Sequence, residues 1–451
     1  MATALIILAA GQGTRMNSDL PKVLHPIGGA PMLGHAMQAG ATLEPDQVIV
    51  VAGHGAEVVR AAALEFDESA EIVIQSEQLG TAHAVAQAAP RLAGYGGDAL
   101  VLYGDTPFIQ PDTLERMQAA RGAHDIVVLG FEAADPGRYG RLVVQGNDLL
   151  RIVEFKDATE AERAVTLCNS GVVLAPAALL FDLIAEVGNA NAAGEYYLTD
   201  IVGLARARGL SATAVTCDEA ETMGINSRAE LARAEAAFQA RKRAEALETG
   251  VTLVAPDTVQ FAYDTWLGRD SLVEPYVVFG PGVTVETGAH IRAFSHLEGC
   301  HVARGAVVGP YARLRPGTEL AEHARIGNFV EVKNALIGEG AKVNHLSYIG
   351  DARVGDESNI GAGTITCNYD GVSKHETVIG ARVFVGSNTM LVAPVTLGDG
   401  AMTGSGSVIT RDVAPDALAI ARAPQVDMPG RARKLFDLLK ARAGKRDKGA
   451  M

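Results

Sequence analysis

The stretch VVGPYARLRPGTELAEHARIGNFVEV, residues 307–332, puts an aliphatic residue at every sixth position: Val308, Leu314, Leu320, Ile326 and Val332. The same spacing runs upstream through Val273, Phe279, Val285, Ile291 and Leu297, with Val302 opening the quoted series. Downstream, after one-residue slips, it resumes in Ile337, Val343 and Ile349, then Val354 and Ile360, and finally Ile379, Val385, Leu391 and Leu397. Glycine often follows the aliphatic position, as at Gly309, Gly327, Gly338, Gly350, Gly361, Gly386 and Gly398. A hexapeptide period calls for short strands and tight turns stacked as a solenoid, with the aliphatic residue pointing inward and the small residue allowing the turn. The repeat also accounts for 50 glycines in 451 residues. One segment breaks the period, NYDGVSKHET at 368–377. An insertion in a repeat array maps to a loop, often on the binding face.

Ahead of the solenoid the pattern is different. Short apolar runs alternate with helical stretches: ALIILAA (4–10), QVIVVAG (47–53), EIVIQ (71–75), DALVLYGD (98–105) and HDIVVLGFE (124–132). Continuous aliphatic runs of this kind are buried parallel strands, and the alternation predicts an α/β sheet with helices on both faces. Ligands on such sheets sit at the carboxyl ends of strands. That directs attention to the loops Gly11–Lys22 and Gly104–Phe108. The two patterns are joined by a run rich in Ala, Glu and Arg, opened by Ser227 and Glu230 as a capping box. The domains expected are therefore residues 1–228, a linker helix 229–249, and the solenoid 250–451 with a basic tail read as a short helix and a frayed end.

Composition narrows the class. The chain is 48% hydrophobic and 20% charged, as a globular protein with real cores would be, and aromatics at 5% make those cores aliphatic. A net charge of −14 argues against a general nucleic-acid or anionic-membrane surface. Cys168, Cys217, Cys300 and Cys367 are scattered, matching neither a zinc site nor a disulfide framework, which predicts a reducing, cytoplasmic setting. The apolar start lacks the basic flank of a signal peptide, and no stretch reaches the length of a membrane span.

LAAGQGTRM (8–16) follows a strand and is glycine-rich, yet it is neither GxGxxG nor GxxxxGK[ST], so no dinucleotide or Walker site is predicted. Backbone N–H groups on a turn like this suit phosphates, with Arg15 and Lys22 close in sequence. LAAGQGTRMNSDLPKVLHPIGGAPML resembles the opening motif of sugar-1-phosphate nucleotidyltransferases. The likeness continues in QSEQLGTAHAV (75–85), YGDTP (103–107), GRYGRLV (137–143), RIVEFKDAT (151–159), CNSGV (168–172), EYYLTDIV (195–202) and MGINSR (223–228). NFVEVK (328–333), NHLSYIGD (344–351), NIGAGTITCNYDG (359–371) and Lys374 resemble an acetyltransferase solenoid. Over about 1–425 the chain resembles the bacterial bifunctional N-acetylglucosamine-1-phosphate uridyltransferases/glucosamine-1-phosphate acetyltransferases.

The resemblance implies a Rossmann-like α/β nucleotidyltransferase domain followed by a left-handed parallel β-helix. It implies acetyl transfer from acetyl-CoA to glucosamine 1-phosphate, then uridyl transfer from UTP to N-acetylglucosamine 1-phosphate with release of pyrophosphate. The product would feed peptidoglycan and lipopolysaccharide precursors. In the first domain Leu8, Ala9, Ala10 and Gly11 would offer backbone to the nucleotide, and Arg15 and Lys22 would meet the phosphates. Gln75, Gly80 and Thr81 would read the uracil, and Tyr103, Gly104, Gly140, Glu154 and Asn169 would line the sugar side. Asp105 and Asn226 would hold Mg²⁺. One departure is Gln12, where many relatives carry Lys.

In the second domain the resemblance makes His345 the base, with Glu331 orienting its imidazole. Arg315, Lys333, Tyr348, Asn359 and Lys374 would bind the sugar phosphate; Ala362, Asn368, Tyr369, Ser387, Ser405 and Arg422 would line the coenzyme A site. Solenoids of this family form homotrimers. A single-activity nucleotidyltransferase with an oligomerising solenoid would lack the His345, Asn368, Tyr369 and Lys374 set. A scaffold with a degenerate transferase domain would lose Arg15, Lys22 or Asp105. This chain has them all.

Overall fold

The computed structural model describes residues 2–447, in two compact units: Met1–Ala246 with Gln260–Thr265, and Leu247–Val259 with Trp266 onward. In the first unit, seven strands lie in the order Ala212–Cys217, Ile126–Glu132, Leu167–Pro176, Asp98–Tyr103, Thr3–Ala9, Gln47–Ala52 and Glu71–Ile74. All neighbours are parallel except Leu167–Pro176, which runs antiparallel to both strands beside it. An antiparallel hairpin, Arg141–Gln145 with Asp148–Val153, attaches to that strand. The expected aliphatic runs are strands, buried except at the edge strand Glu71–Ile74, where Ile74 is exposed, and cores form on both faces of the sheet.

The helix expected to link the domains spans Arg228–Glu248 and belongs to the first unit as far as Ala246. Its charged surface hides two apolar anchors. Ala234 and Phe238 pack with Ile27, Met32, Phe108 and Ile225, and the Phe238 ring meets His35 edge-on. Buried Gln239 clamps the returning segment, donating to the Phe261 carbonyl and accepting from the Phe261 N–H, both at 2.8 Å. The capping box is displaced by one residue. Ser227 accepts from the Glu230 N–H, but the Glu230 carboxylate accepts from the N–H of Asn226 at 2.7 Å.

The second unit is a parallel β-helix. Its strands form one ten-stranded stack and a fourteen-stranded branched sheet, in which Glu331–Ile337 and Tyr348–Val354 each bend round a corner and serve two stacks. The result is three walls around one core. Every six-spaced aliphatic residue from Val273 to Leu397 named above points into that core, none more than 3% exposed. The glycines let successive coils touch: a Cβ on Gly327 would lie 2.0 Å from the Asn344 carbonyl oxygen of the next coil. At one corner Tyr276, Phe294, Tyr311 and Phe329 stack face to face at 4.9–5.3 Å, each in the left-handed region and about half exposed, with Leu346 on the next coil. The basic tail contains a helix, Arg431–Asp447; the frayed end lies outside the described residues.

Candidate active sites

In the first unit, Leu8 pairs with Tyr103 across adjacent parallel strands, and the Leu8 carbonyl accepts from the Gly104 N–H at 3.0 Å. The two loops singled out by the sequence therefore leave the sheet side by side. Between them lies a cleft of about 330 Å³ lined by Leu8, Ala10, Gly11, Lys22, Gln75, Gly80, Thr81, Tyr103 and Asp105. Gln78 and Glu195 also line it and were not singled out, although both fall inside quoted motifs. Gln78 donates to the Ala10 carbonyl at 2.6 Å and so ties the phosphate-type loop to the strand 71–74 side.

The ammonium of Lys22 is hydrogen-bonded to the Asp105 carboxylate and lies 3.0 Å from Asn226 Oδ1. All three meet because the Ile225 N–H donates to the Asp105 carbonyl, laying residues 225–226 against the YGDTP turn. A carboxylate and an amide oxygen thus converge on one cationic atom in a site where Lys22 and Asp105 are 12% and 19% exposed. Two hard oxygen donors suit Mg²⁺, which keeps waters and takes substrate phosphates as its other ligands. Arg15 is exposed on the same loop and stands outside the cleft lining.

The sugar-side residues form a continuous patch. The Asn169 N–H donates to the Gly140 carbonyl at 2.9 Å, and a Cβ on Gly140 would sit 3.5 Å from Glu154 Oε1. Glu154 accepts from Thr199 Oγ1 at 3.2 Å, and burial, reinforced by Asp200, Asp157 and Glu195, raises its carboxyl above the usual range despite that bond. Tyr103 is likewise pushed well up, first by burial and then by Glu154 and Asp105.

In the second unit, strand register aligns Asn328 with His345, and Asn328 Oδ1 lies 2.8 Å from His345 Nδ1. The same position on later coils is Ala362, Ser387 and Ser405, linked by Gly363 N–H to the His345 carbonyl (3.2 Å), Asn388 N–H to Ala362 (2.7 Å) and Gly406 N–H to Ser387 (2.8 Å). Arg422 donates to the Ser405 carbonyl at the end of this column. The sequence-predicted base and four residues assigned to the coenzyme thus lie along one edge of the solenoid. A groove of about 330 Å³ beside His345 is lined by Asn328, Asn344, Arg292 and Arg325.

The expectation that Glu331 orients the imidazole is not met. Glu331 aligns with Tyr348, round the corner from His345, and accepts from Arg315 Nη1 at 2.9 Å. Near it stand Lys333, Tyr348 and Lys374, the last carried in by the 368–377 insertion, which pairs Tyr369 with Lys374 as a hairpin. Lys333 beside Lys374 depresses the latter's pKa by contact and charge, with Asp351 opposing. Burial pushes Asp351 up, but hydrogen bonds from Asn334 and Asn368 and the charges of Lys333 and Lys374 hold it below the usual range. Tyr369 is 60% exposed, and Asn359 lies on the His345 wall rather than with the lysines. Within one chain, the sugar-phosphate residues are split between two walls.

A nucleotide-type α/β cleft and a hexapeptide β-helix with a poised histidine define a two-domain sugar nucleotidyltransferase and acyltransferase. Residues 5–187 match the MobA-like NTP transferase domain, and 376–411 match the bacterial transferase hexapeptide of six repeats. The bifunctional protein GlmU of Ruegeria pomeroyi is 72% identical over 99% of this chain and 100% of its own length. That of Cereibacter sphaeroides is 69% identical over 99% of this chain and 98% of its own. A UDP-glucose pyrophosphorylase complexed with UDP-glucose aligns with 53% of this chain and all of its own, at 17% identity and a TM-score of 0.44. The chain belongs to the bifunctional GlmU family. It is a bifunctional enzyme of UDP-N-acetylglucosamine synthesis, a metal-dependent nucleotidyltransferase joined to an acetyltransferase, acting on nucleotide and sugar-phosphate substrates. No helix among the described residues is long and apolar enough to cross a membrane.

Proposed function

We propose that residues 1–228, with the helix packed behind them, transfer uridylate from UTP to N-acetylglucosamine 1-phosphate, and that residues 250–451 first make that sugar from glucosamine 1-phosphate and acetyl-CoA. In the first reaction a sugar-phosphate oxygen attacks the α-phosphorus and pyrophosphate leaves. Little proton transfer is needed, so alignment and charge neutralisation carry the rate. Leu8–Gly11 offer backbone to the nucleotide, Gln75, Gly80 and Thr81 the base-side wall, and Gly140, Glu154 and Asn169 the sugar side. Lys22 neutralises charge at the Asp105 turn, and Arg15 reaches the phosphates from the loop. Asp105 and Asn226 would hold Mg²⁺, which when bound supplies positive charge to the triphosphate.

In the second reaction, Asn328 Oδ1 accepting from Nδ1–H leaves the exposed His345 with a free lone pair on Nε2. That pair is the observation that carries the reading: a base able to take the proton of the glucosamine amine as it attacks the acetyl carbon of the thioester, the thiolate of coenzyme A leaving. Arg315, Lys333, Tyr348, Asn359 and Lys374 bind the sugar phosphate; Ala362, Asn368, Tyr369, Ser387, Ser405 and Arg422 bind acetyl-CoA. The division of the sugar-phosphate residues between two walls, and the exposed aromatic corner, support assembly as a homotrimer with sites completed between subunits. Four free cysteines support a cytoplasmic setting.

A crossed pair of variants tests the assignment. Asp105→Asn should abolish uridyl transfer and spare acetyl transfer; His345→Ala should lower acetyl transfer roughly 10²–10⁴-fold and spare uridyl transfer. Loss of both reactions in either folded variant would sink it.

A further inference from the structure

The cleft contains a buried amide whose orientation is fixed by hydrogen bonds within the protein. Gln75 is 5% exposed, and its Nε2 lies 3.2 Å from the Gly80 carbonyl and 3.1 Å from His83 Nδ1. A carbonyl oxygen can only accept, so Gly80 decides which end of the amide is nitrogen. The second N–H of that nitrogen is then aimed at His83 Nδ1, which must accept. Both amide hydrogens are spent inside the protein, and Gln75 Oε1 is the atom presented to the cleft.

We propose that His83 is a specificity-determining positioning residue for the nucleobase: by accepting from Gln75 it holds the amide with its oxygen toward the ligand, so that the site reads an imide N–H. Uracil offers N3–H at that edge; cytosine offers a bare N3 lone pair, which would face Gln75 Oε1 acceptor to acceptor. This rests on the reading that Gln75 faces the base. His83 sits on the first turn of the helix Thr81–Ala86, where Gln87 Nε2 donates to the His83 backbone carbonyl at 2.9 Å; with Nδ1 accepting, the ring proton is on Nε2, so Gln75 is the amide that the imidazole orients. With Nδ1 unable to accept, only Gly80 would oppose rotation of the Gln75 amide, and the rotated form would present N–H groups that suit cytosine.

The test is the ratio of kcat/KM for UTP to that for CTP in the full-length enzyme. His83→Leu should lower this ratio at least about tenfold, mostly through KM for UTP. His83→Asn, whose Oδ1 stands near the position of Nδ1, should restore most of it. A circular dichroism spectrum and melting curve of the same preparation, set against wild type, report folding of the first unit; if His83→Leu does not fold, His83→Ser, too short to reach Gln75, makes the same prediction. An unchanged ratio in the folded Leu or Ser variant overturns the inference. Gln75→Leu separates the two levels. If it too leaves the ratio unchanged, Gln75 is not the base reader; if it collapses the ratio while His83→Leu does not, the role of His83 alone is wrong.

Discussion

His345 and Asn328 occupy the same position on consecutive coils, 17 residues apart, with the imidazole Nδ1 2.8 Å from the amide oxygen. A regular turn of the solenoid advances 18 residues, as between Arg313 and Glu331. The shorter step arises because one hexapeptide between them has lost a residue. A constant 18-residue step would have set Asn328 against Leu346.

Removing the partner should tell on the base without removing it. Asn328→Ala is expected to cost acetyl transfer about 5- to 10-fold, the worth of one hydrogen bond, with coenzyme A affinity unchanged. Asn328→Asp should act differently. A carboxylate beside the imidazole favours its charged form, so the basic form is lost at higher pH and the acidic limb of kcat/KM should move upward. A pH profile identical to wild type in Asn328→Asp would show that the amide does not govern His345.

The two lysines make a second prediction. Lys333 depresses Lys374, so Lys374 gives up its proton at lower pH than an ordinary lysine as pH rises. Binding of glucosamine 1-phosphate should weaken along an alkaline limb set by this group. In Lys333→Met the depression is lifted and the limb should move to higher pH. Lys374→Met should raise KM for the sugar phosphate roughly tenfold, through the loss of a charged contact to the phosphate, and leave KM for acetyl-CoA alone.

Much of this was legible in advance, for identifiable reasons. The six-residue period needs only side-chain identity, and every inward residue it named is buried. Asp105 was legible because a carboxylate just past a buried strand has few structural uses. Asn328 was not, because a constant 18-residue step would set it against Leu346, whereas the hydrogen-bonded register after the slip sets it against His345 and sets Glu331 against Tyr348. His83 was missed because its partner is a side chain eight residues back, across a turn whose shape is set by Gly80 at φ +120°. The linker helix looked exposed because Ala234 and Phe238 are too few to give it an apolar stripe.

Those two anchors support a third prediction. Phe238→Ala should destabilise the first unit by about 3–5 kcal/mol, the usual cost of emptying a buried aromatic site. A fragment ending at residue 228 should melt well below one ending at 265, which keeps the helix and the Gln239–Phe261 clamp. Equal thermal midpoints for the two fragments would mean that the helix is only a connector.

Glu154 should trade stability for binding. Its folded pKa is raised, so as pH climbs through the carboxylate range the unfolded chain releases its proton first and the fold loses stability. Glu154→Gln removes that penalty. Its thermal midpoint should exceed wild type at neutral pH, by about 2–4 °C for each kcal/mol recovered, and the difference should vanish in acid, below the range where carboxylates ionise. Uridyl transfer should show a higher KM for the sugar phosphate. A midpoint no higher than wild type at neutral pH would contradict the burial argument.

The strand that ends in His345 is sixth of ten in its stack. Each coil of such an array is held only by the coils above and below it. Opening therefore starts at the two ends and advances rung by rung, as a zipper frays. Amide protons near the terminal coils should exchange with solvent early, while those around Val343 to Ile349 exchange only when nearly everything else has come apart. The histidine proposed as the acetyl-transfer base is thus placed at the depth where the array keeps its shape longest.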